Sequence, residues 1–518
     1  MGAEMTDWLS RQIALPKELM LRSPLQMTKG RVLWKQGHDV AFQGNITVAD
    51  GPRLSLDIIQ GPQILQLKEI LITDGEQSAR MTLDLKKDNF AFSFNGALYQ
   101  ETLNQIFQVP PLEGSLLQGD IEVSVYDETP LRFRARGRLA GRGLRVPLKK
   151  DSAIVEFFFL EANPDAVNLR SANLRWSNSR LSFMGKLLAA TKALRFDMDI
   201  SADRVMWEEI RDIIDGGGNR KNNEGILGIA LPPLEGTVRL TADSFSFDRF
   251  NWNPIQATAA ISPDEIKGTI ERGEVCGIGT TGRVNFTNGE IGLDLSLSAT
   301  NGQLESSSLC LTQNRHAVTG SYSLHAQLAG QGTPENVLRT LKGAFEFSVR
   351  DGQFAQSPTV DNALEAAFDY LNQKGDLNVD FPDLDKESFP FRSISARGTV
   401  EGETLVGDEL VIQSTLFIIT GRGRVDLEHK QIDATGLVTA RLPGDTLTRR
   451  IPIVGSFLGS SIVGIPVRVT GSLEQPNVTY LSPSAVGAEL LDIPRKILGL
   501  PLEAIRLFTP TIRAPESN

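Results

Sequence analysis

The amino-acid sequence predicts a mostly β protein built as an elongated antiparallel sheet. Apolar and polar side chains alternate with a period of two over most of residues 36–480, as in Leu131 and Phe133 against Arg132 and Arg134. Successive side chains of a strand point to opposite faces, so each such segment builds one apolar and one polar face. The 47 glycines suit many turns between short strands. The sequence therefore predicts one long apolar face.

Composition and charge narrow the classes of protein. A chain with 41% apolar and 22% charged residues is typical of a folded protein. The net charge of -10 argues against a nucleic-acid partner, because phosphate binding needs a basic surface. An arginine-rich segment at 132–145 predicts a solvated strand face or a contact with anionic headgroups. The sequence contains no apolar run of about 18 residues, so it predicts no transmembrane helix. Residues 1–20 do not have the pattern of a signal peptide.

A few short segments carry apolar residues at helical spacing. We interpret them as plugs or side braces on the sheet, because apolar stripes of this kind usually pack on a core. They are residues 7–20, 100–107, 205–214, 334–341 and 359–372.

A polar, glycine-rich loop and a repeated string divide the chain. The loop is residues 215–225, and the string Pro-Pro-Leu-Glu-Gly occurs at 110–114 and again at 232–236. Each copy follows a helix-like segment and precedes a strand pattern, which suggests a repeated module. We therefore expect four segments. They are 1–109, a β segment with a short N-terminal helix; 110–231, a module ending in the polar loop; 232–480, a C-terminal β domain; and 481–518, a helical tail.

The sequence offers few groups for chemistry. Residues 277–282 match the glycine spacing of dinucleotide-binding loops, but a strand pattern follows them where a helix is needed, so we interpret them as a bend. The four histidines lack metal-ligand spacing. A carbohydrate-active enzyme would need paired carboxylates facing a cleft, which the sequence neither supports nor excludes. We expect no catalytic residue, no cofactor and no metal.

Cys276 and Cys310 are the two cysteines, each flanked by strand-like residues. Two interpretations stay open: buried free thiols, or a disulfide that pins neighbouring strands in an oxidising compartment. A disulfide closing a loop of this size contributes about 3–4 kcal/mol.

The tail from residue 482 differs from everything before it. Its apolar residues, interrupted at Pro494 and Pro501, predict two short amphipathic helices that carry some positive charge. Such helices would lie at a membrane interface or cap the open end of the sheet. Their apolar side chains include Leu490, Leu491, Ile497, Leu498, Leu502, Ile505 and Phe508.

The C-terminal half contains motifs similar to those of a known family. Residues 341–354, Leu-Lys-Gly-Ala-Phe-Glu-Phe-Ser-Val-Arg-Asp-Gly-Gln-Phe, resemble the core of AsmA-like C-terminal domains, as do residues 368–372 and 451–478. The tail is similar to that of the larger, YhdP-like members. The resemblance covers about residues 232–510 and, before that, concerns architecture alone. Its motifs are structural rather than catalytic.

The resemblance implies a Gram-negative envelope protein whose periplasmic part is a long sheet curled into an apolar, β-taco-like groove. Such proteins are anchored in the inner membrane by an N-terminal helix and are held to carry phospholipid to the outer membrane without enzymatic activity. Because the anchor is not seen here, we expect a C-terminal fragment of a longer chain. The rival hypothesis is a scaffold that receives strands of outer-membrane proteins, as suggested for the related TamB family.

The groove hypothesis agrees with the lack of chemical motifs, because transport makes and breaks no covalent bond. A phospholipid with roughly thirty methylenes exposes apolar surface that costs on the order of 25 kcal/mol in water. A continuous apolar trough removes that cost, while the headgroup stays in water at the open seam. Hydrophobicity suggests which side chains line it: Leu293, Leu295, Leu297, Phe345, Phe347, Val349, Ile465, Val467 and Val469.

Overall fold

The computed structural model confirms the mostly β fold. It describes residues 20–22, 24–33, 39–49, 51–61, 64–86, 89–109, 112–126, 128, 131–147, 152–190, 193–209, 211, 233–312, 318–355, 388–414, 417–440, 462–473, 476–481 and 505–507. Strands make up about 79% of these residues. The chain divides into an N-terminal unit, Met1–Glu271, and a C-terminal unit, Arg272–Asn518.

The N-terminal unit is a sheet in which most strands pair antiparallel with the next strand along the chain. The strands are β1 (Leu25–Leu33), β2 (Val40–Val48), β3 (Arg53–Gly61), β4 (Ile64–Asp74), β5 (Gln77–Lys86), β6 (Asn89–Tyr99), β7 (Leu116–Tyr126), β8 (Arg132–Pro147), β9 (Ser152–Asn163), β10 (Ala166–Trp176), β11 (Ser179–Ala189), β12 (Leu194–Met206), β13 (Leu234–Phe247), β14 (Phe250–Trp252) and β15 (Ile255–Ile261). Helix α1 (Gln100–Ile106) lies between β6 and β7. Strand β16 (Glu265–Val275) spans the boundary between the units.

One pair of strands departs from the expected antiparallel order. β12 and β13 run parallel, from Leu194 opposite Leu234 to Met206 opposite Ser246. Parallel neighbours need a crossover of a dozen or more residues, because the chain must return to the end where it began. The residues between β12 and β13 supply this crossover, and 207–209 and 211 among them are helical.

The sheet of the N-terminal unit curls over its apolar face. Val125 of β7 is buried in one cluster with Leu194 of β12, and Leu187 of β11 packs against the same cluster. Several strands separate β7 from β12 along the ladder, so these side chains meet only because the sheet folds back on itself. Register shifts, such as those between Asp57 and Ile58 in β3, mark bulges, which increase local bending and twist.

The C-terminal unit is also a largely antiparallel sheet, with sequential pairing from β17 to β26. Its strands are β17 (Ile278–Thr287), β18 (Glu290–Gln303), β19 (Ser321–Gly332), β20 (Lys342–Ala355), β21 (Ser388–Glu401), β22 (Thr404–Gln413), β23 (Phe417–Asp426), β24 (Gln431–Ala440), β25 (Ile462–Ser472), β26 (Pro476–Tyr480) and β27 (Ile505–Leu507). Helix α2 (Leu304–Thr312) follows β18, and a 3-10 helix (Val337–Thr340) follows β19.

The helix predictions have mixed outcomes. The helix at 100–107 is confirmed as α1. The helix expected at 205–214 is confirmed in part, because residues 207–209 and 211 are helical, but Val205 continues the alternation of β12 and packs against Ala202, Ala242 and Ile255. The helix expected at 334–341 is a single 3-10 turn.

Some predicted features fall outside the described residues. They are the helix at 7–20 apart from Met20, the helix at 359–372, the loop at 215–225, and the tail residues Leu490, Leu491, Ile497, Leu498, Leu502 and Phe508. Ile505, expected in a tail helix, lies instead in β27, which pairs parallel with Ile462 of β25. A strand edge offers unpaired backbone groups, and their pairing outweighs a short helical pattern.

Candidate functional site: the apolar face of the sheet

In the N-terminal unit, one apolar row crosses the sheet from β2 to β15. Residues directly opposite each other in a ladder share a face, so the register traces which side chains lie together. The row is Ile46, Leu54, Ile72, Ala79, Gly96, Gly119, Leu139, Leu160, Leu169, Gly185, Met198, Val238 and Ala259. With strands about 4.8 Å apart, the row is roughly 58 Å long, measured along the sheet.

The residues next to these ones on the same strands form a row on the opposite face, and this row is mostly polar. It is Asn45, Ser55, Leu71, Arg80, Asn95, Asp120, Arg138, Glu161, Asn168, Lys186, Asp197, Thr237 and Ala260. The two faces therefore differ in character across the whole width of the unit. We call the first of them the apolar face.

The C-terminal unit has an apolar face too, although its opposite face is also apolar and buried on β22 to β24, where it carries Val411, Ile418 and Leu437. One row of its apolar face is Thr280, Leu297, Ala326, Phe345, Gly398, Gly407, Gly423, Ala434, Val469 and Val478. The next row on that face is Ala299, Leu324, Phe347, Ala396, Leu410, Gly421, Gly436 and Val467. Neither row contains a charged residue.

The nine positions predicted to line a groove fall on this one face. Leu297, Phe345 and Val469 share the first row above, and Phe347 and Val467 share the second. The others occupy neighbouring rows: Leu293 opposite Gly330, Leu295 opposite Leu328, Val349 opposite Tyr322, and Ile465 opposite Val438. The side chain of Ile465 lies outside the described ones. Contact of these residues with lipid stays a prediction.

The middle of each apolar face is only half-buried. Ile58, Leu67, Leu83 and Phe92 lie in one row of the N-terminal unit and retain partial exposure. Side chains of an ordinary core are packed on all sides. Within each unit the described strands form a single curled layer, and these apolar side chains stay partly exposed.

Helix α1 closes one end of the apolar face in the N-terminal unit. Leu103 joins a buried cluster with Ala79 and Leu98, while Ile106, 1% exposed, packs with Leu25 and Val48. The backbone N–H of Arg22 donates to the carbonyl of Ile106 at 2.8 Å. This end is therefore filled by apolar side chains.

Helix α2 covers one end of the apolar face in the C-terminal unit. The hydroxyl of Tyr322, a residue of that face, donates to Ser307 Oγ at 2.8 Å, and both residues are buried. A disulfide joins Cys310 of α2 to Cys276, which lies in the turn between β16 and β17, with a Cα–Cα distance of 5.5 Å. Of the two states left open by the sequence, the structure has the disulfide. It pins a helix, however, and not two strands.

The 3-10 helix covers the other end of that face. A Cβ atom at Gly332 would lie 3.5 Å from the backbone of Val337 in this helix. A Cβ atom at Gly330 would lie 3.2 Å from the backbone of Leu341, the residue that follows the helix. Val337 itself is fully buried. Glycine in β19 thus leaves the room that this turn needs.

Glycine plays a different role at residues 277–282. Gly277, with φ of 80°, forms the turn between β16 and β17, as the bend interpretation expects. Gly279 and Gly282, however, lie inside β17, so the bend is shorter than predicted.

Cross-strand ion pairs cover the polar face. Two guanidinium nitrogens of Arg136 donate to the two carboxylate oxygens of Glu122, at 2.9 and 3.0 Å. These hydrogen bonds lower the pKa of Glu122 below its ordinary value. Arg239 contacts Asp197 at 2.8 Å and also binds Asp199, whose pKa it lowers. Exposed pairs of this kind contribute about 0–1 kcal/mol each, so they keep the face solvated more than they stabilise it.

The arginine-rich segment at 132–145 is part of this face. Arg132 pairs with Glu128 at 2.9 Å and lies 4.4 Å from the Tyr126 ring centroid. Arg142 donates to the carbonyl of Gly114 at 2.8 Å. These partners fit a solvated strand face and do not test a contact with anionic headgroups.

A depression of about 430 Å³ lies on the C-terminal unit, lined partly by His325, Glu346, Arg397 and Glu409. These four residues are successive partners across β19 to β22. Arg397 is already paired with Glu346 at 3.2 Å, so the depression indicates no particular ligand.

Two other kinds of site are absent from the residues that the structure describes. Within the ranges that the structure describes, no group of three or more His, Cys, Asp or Glu side chains could hold a metal ion. None of the helices in those ranges is long and apolar enough to cross a membrane.

Sequence reasoning named groove residues in the C-terminal unit alone. The alternation predicted an apolar face in the N-terminal unit as well, but no groove residue was named there, although Leu65, Leu67, Leu83 and Leu85 show the pattern. Neither protein-family models nor curated proteins give a match to this chain.

Proposed function

We propose that this protein is a non-enzymatic lipid conduit that shields phospholipid acyl chains on its apolar face. By this proposal it works in a Gram-negative envelope and carries phospholipid between the inner and outer membranes. Its partners are phospholipid and the membranes at either end of the path, and nucleic acid is not among them.

The observation that carries the proposal is the division between the two faces. A row of apolar residues and glycines crosses thirteen strands of the N-terminal unit, from Ile46 to Ala259, without a charge. Its neighbours on the opposite face carry cross-strand ion pairs such as Arg136 with Glu122. Four residues of this row are buried and the other nine are half-buried, so much of the row is an apolar surface that remains partly accessible, as binding surfaces are.

Physical chemistry favours acyl chains as the ligand. Apart from Thr280, the described rows of the apolar face consist of apolar residues and glycines, which do not select a polar molecule, and burial there gains about 0.8 kcal/mol per methylene. Glycines such as Gly398, Gly407 and Gly423 in one row leave bare backbone between larger side chains. A surface of this kind holds chains of variable shape and lets them slide.

Two features support the envelope location. The disulfide between Cys276 and Cys310 fits an oxidising compartment such as the periplasm. The motifs at 341–354 and 451–478 resemble those of AsmA-like proteins, which are inner-membrane anchored.

The test is a charge placed on the apolar face. Leu295→Arg should reduce crosslinking to phospholipid, and binding of an acyl-chain fluorophore, by more than tenfold. A guanidinium inserted among Leu328 and its neighbours must lose water when a chain passes, which costs several kcal/mol. The fold should persist, because Leu295 is half-buried.

The matched control is Ser296→Arg, which places the same charge on the same strand but on the opposite face, beside Thr281 and Gln327. It should leave crosslinking unchanged. Equal crosslinking in both variants and the parent chain would refute the conduit.

A second candidate is a scaffold for outer-membrane proteins. Strand β1 favours it, because residues 26–33 are exposed along its length and pair with β2 on one side. An exposed edge can accept a further strand, although the register shift between Thr28 and Arg31 blunts this edge. Purification of the chain from cells with an unfolded barrel protein in place of lipid would favour this scaffold.

A further inference from the structure

The disulfide is the one covalent tie on a helix that covers the apolar face. Cys276 and Cys310 are the two cysteines of the chain, so thiol reagents report on this pair alone. Cys310 is exposed within α2, whereas Cys276 is half-buried in the turn before β17. Cys310 is therefore the more accessible of the two cysteines to a small reductant.

Besides the disulfide, two described hydrogen bonds join α2 to the sheet. Ser307, 6% exposed, accepts the Tyr322 hydroxyl, and the Leu304 N–H donates to the carbonyl of Gly320 at 3.0 Å. Two leucines of the helix point away from the sheet, since Leu309 is 44% and Leu311 40% exposed. Leu309 and Leu311 therefore contribute little packing to the position of α2, and Leu304 is half-buried.

The surface under α2 is the end of the apolar face. Tyr322 lies opposite Val349 in the ladder, and the ring centroids of Tyr322 and Phe347 are 6.0 Å apart. Tyr322 is 2% exposed and Val349 is fully buried. These two side chains form the next row beyond those of Leu297 and Phe347, which are half-buried.

We propose that reduction of the Cys276–Cys310 disulfide releases α2 and opens this end of the apolar face to acyl chains. The inference rests on the proposed conduit function and adds a control to it. The oxidised protein keeps the end covered, and the reduced protein admits chains there.

The reaction is a thiol–disulfide exchange with a dithiol. One thiolate of the dithiol attacks Cys310 Sγ, the bond between the two cysteine sulfurs breaks, and Cys276 leaves as a thiolate that takes a proton. The second thiol of the dithiol then attacks the mixed disulfide and releases Cys310. Two electrons pass to the protein, and the dithiol leaves as a disulfide.

The experiment uses the full chain, oxidised, reduced with dithiothreitol, and reoxidised. Hydrogen–deuterium exchange of residues 304–312 measures release of α2, and the fluorescence of cis-parinaric acid measures entry of an acyl chain. Reduction should raise exchange in α2 by at least tenfold and speed probe entry several-fold, and reoxidation should reverse both changes. Cys276→Ser with Cys310→Ser should match the reduced protein without a reductant.

The outcomes separate this inference from the proposed function. Probe entry that depends on Leu295 but is the same in oxidised and reduced protein would overturn the inference and leave the conduit standing. Faster exchange in α2, with no probe bound in any state, would refute the conduit and with it the role of α2 in lipid entry. Unchanged exchange in α2 on reduction overturns the inference directly.

Discussion

Helices α1 and α2 cover ends of the apolar face in their respective units, but they are held there by opposite means. α1 buries Thr102, Leu103 and Ile106 and has no covalent tie. α2 buries Ser307, exposes Leu309 and Leu311, and is joined to the sheet by a disulfide. The difference is one of reversibility, because apolar burial responds only to unfolding, whereas a disulfide responds to the redox state.

The energies of the two attachments are similar in size. Burial of Leu103 and Ile106 contributes about 1.5–3 kcal/mol each relative to exposure. The disulfide closes a loop of 34 residues, for which chain entropy gives about 3–4 kcal/mol. The end covered by α1 therefore stays closed unless the protein unfolds. The end covered by α2 can lose most of its attachment in one chemical step.

The first large effect is expected from the loss of the disulfide. Cys276→Ser with Cys310→Ser should lower the free energy of opening of β17 to β19 by about 3–4 kcal/mol, because the unfolded loop regains its freedom. Hydrogen–deuterium exchange of peptides from these strands measures it, since a chain with two units need not unfold in a single step. Peptides from β2 to β6 should not change. A fall of under about 1 kcal/mol would show that other contacts hold α2 in place.

The next effect tests the apolar attachment of α1. Ile106→Ala should destabilise the contact with β2 by about 2–5 kcal/mol, because it removes a side chain that is 1% exposed and leaves a cavity. The matched substitution in α2, Leu309→Ala, should change stability by under about 0.5 kcal/mol, because Leu309 is 44% exposed. Exchange of α1 and α2 in the two variants gives both numbers. Equal effects would remove the distinction between the helices.

The alternation of side chains was enough to predict the faces of the sheet. Phe345, Phe347 and Val349 have the period of a strand, and the register places all three on the apolar face. The parallel pairing of β12 with β13 was not predictable, because it depends on a crossover whose path the local pattern does not encode. The half-burial of the face depends on the curl of the sheet, which involves contacts such as Val125 with Leu194 that are distant in sequence.

The covers at the ends were harder to predict than the face. Helix α1 has Leu103 and Ile106 three residues apart, a helical spacing that was recognised. In α2 the leucines at 309 and 311 are two residues apart, as in a strand, and its buried contact is made by a serine. The sequence signal of α2 therefore resembled that of its neighbours, and only the fold brings Cys310 to Cys276.

The smallest effect compares one hydrogen bond at each helix. Tyr322→Phe keeps the ring but leaves the buried Ser307 hydroxyl without the donor that lies 2.8 Å away, which should cost about 1–3 kcal/mol in opening of α2. Thr102→Val removes a hydrogen bond of 2.7 Å to Asp74, but this half-buried carboxylate can bind water instead, so the cost in α1 should be about 1 kcal/mol or less.

Exchange measured in the oxidised and reduced protein separates the hydrogen bond from the disulfide. If α2 depends on both, Tyr322→Phe should increase exchange more in the reduced state, where no covalent tie limits the opening. A larger loss from Thr102→Val would mean that α1 is held by its polar contacts, and the contrast between the two helices would be reversed.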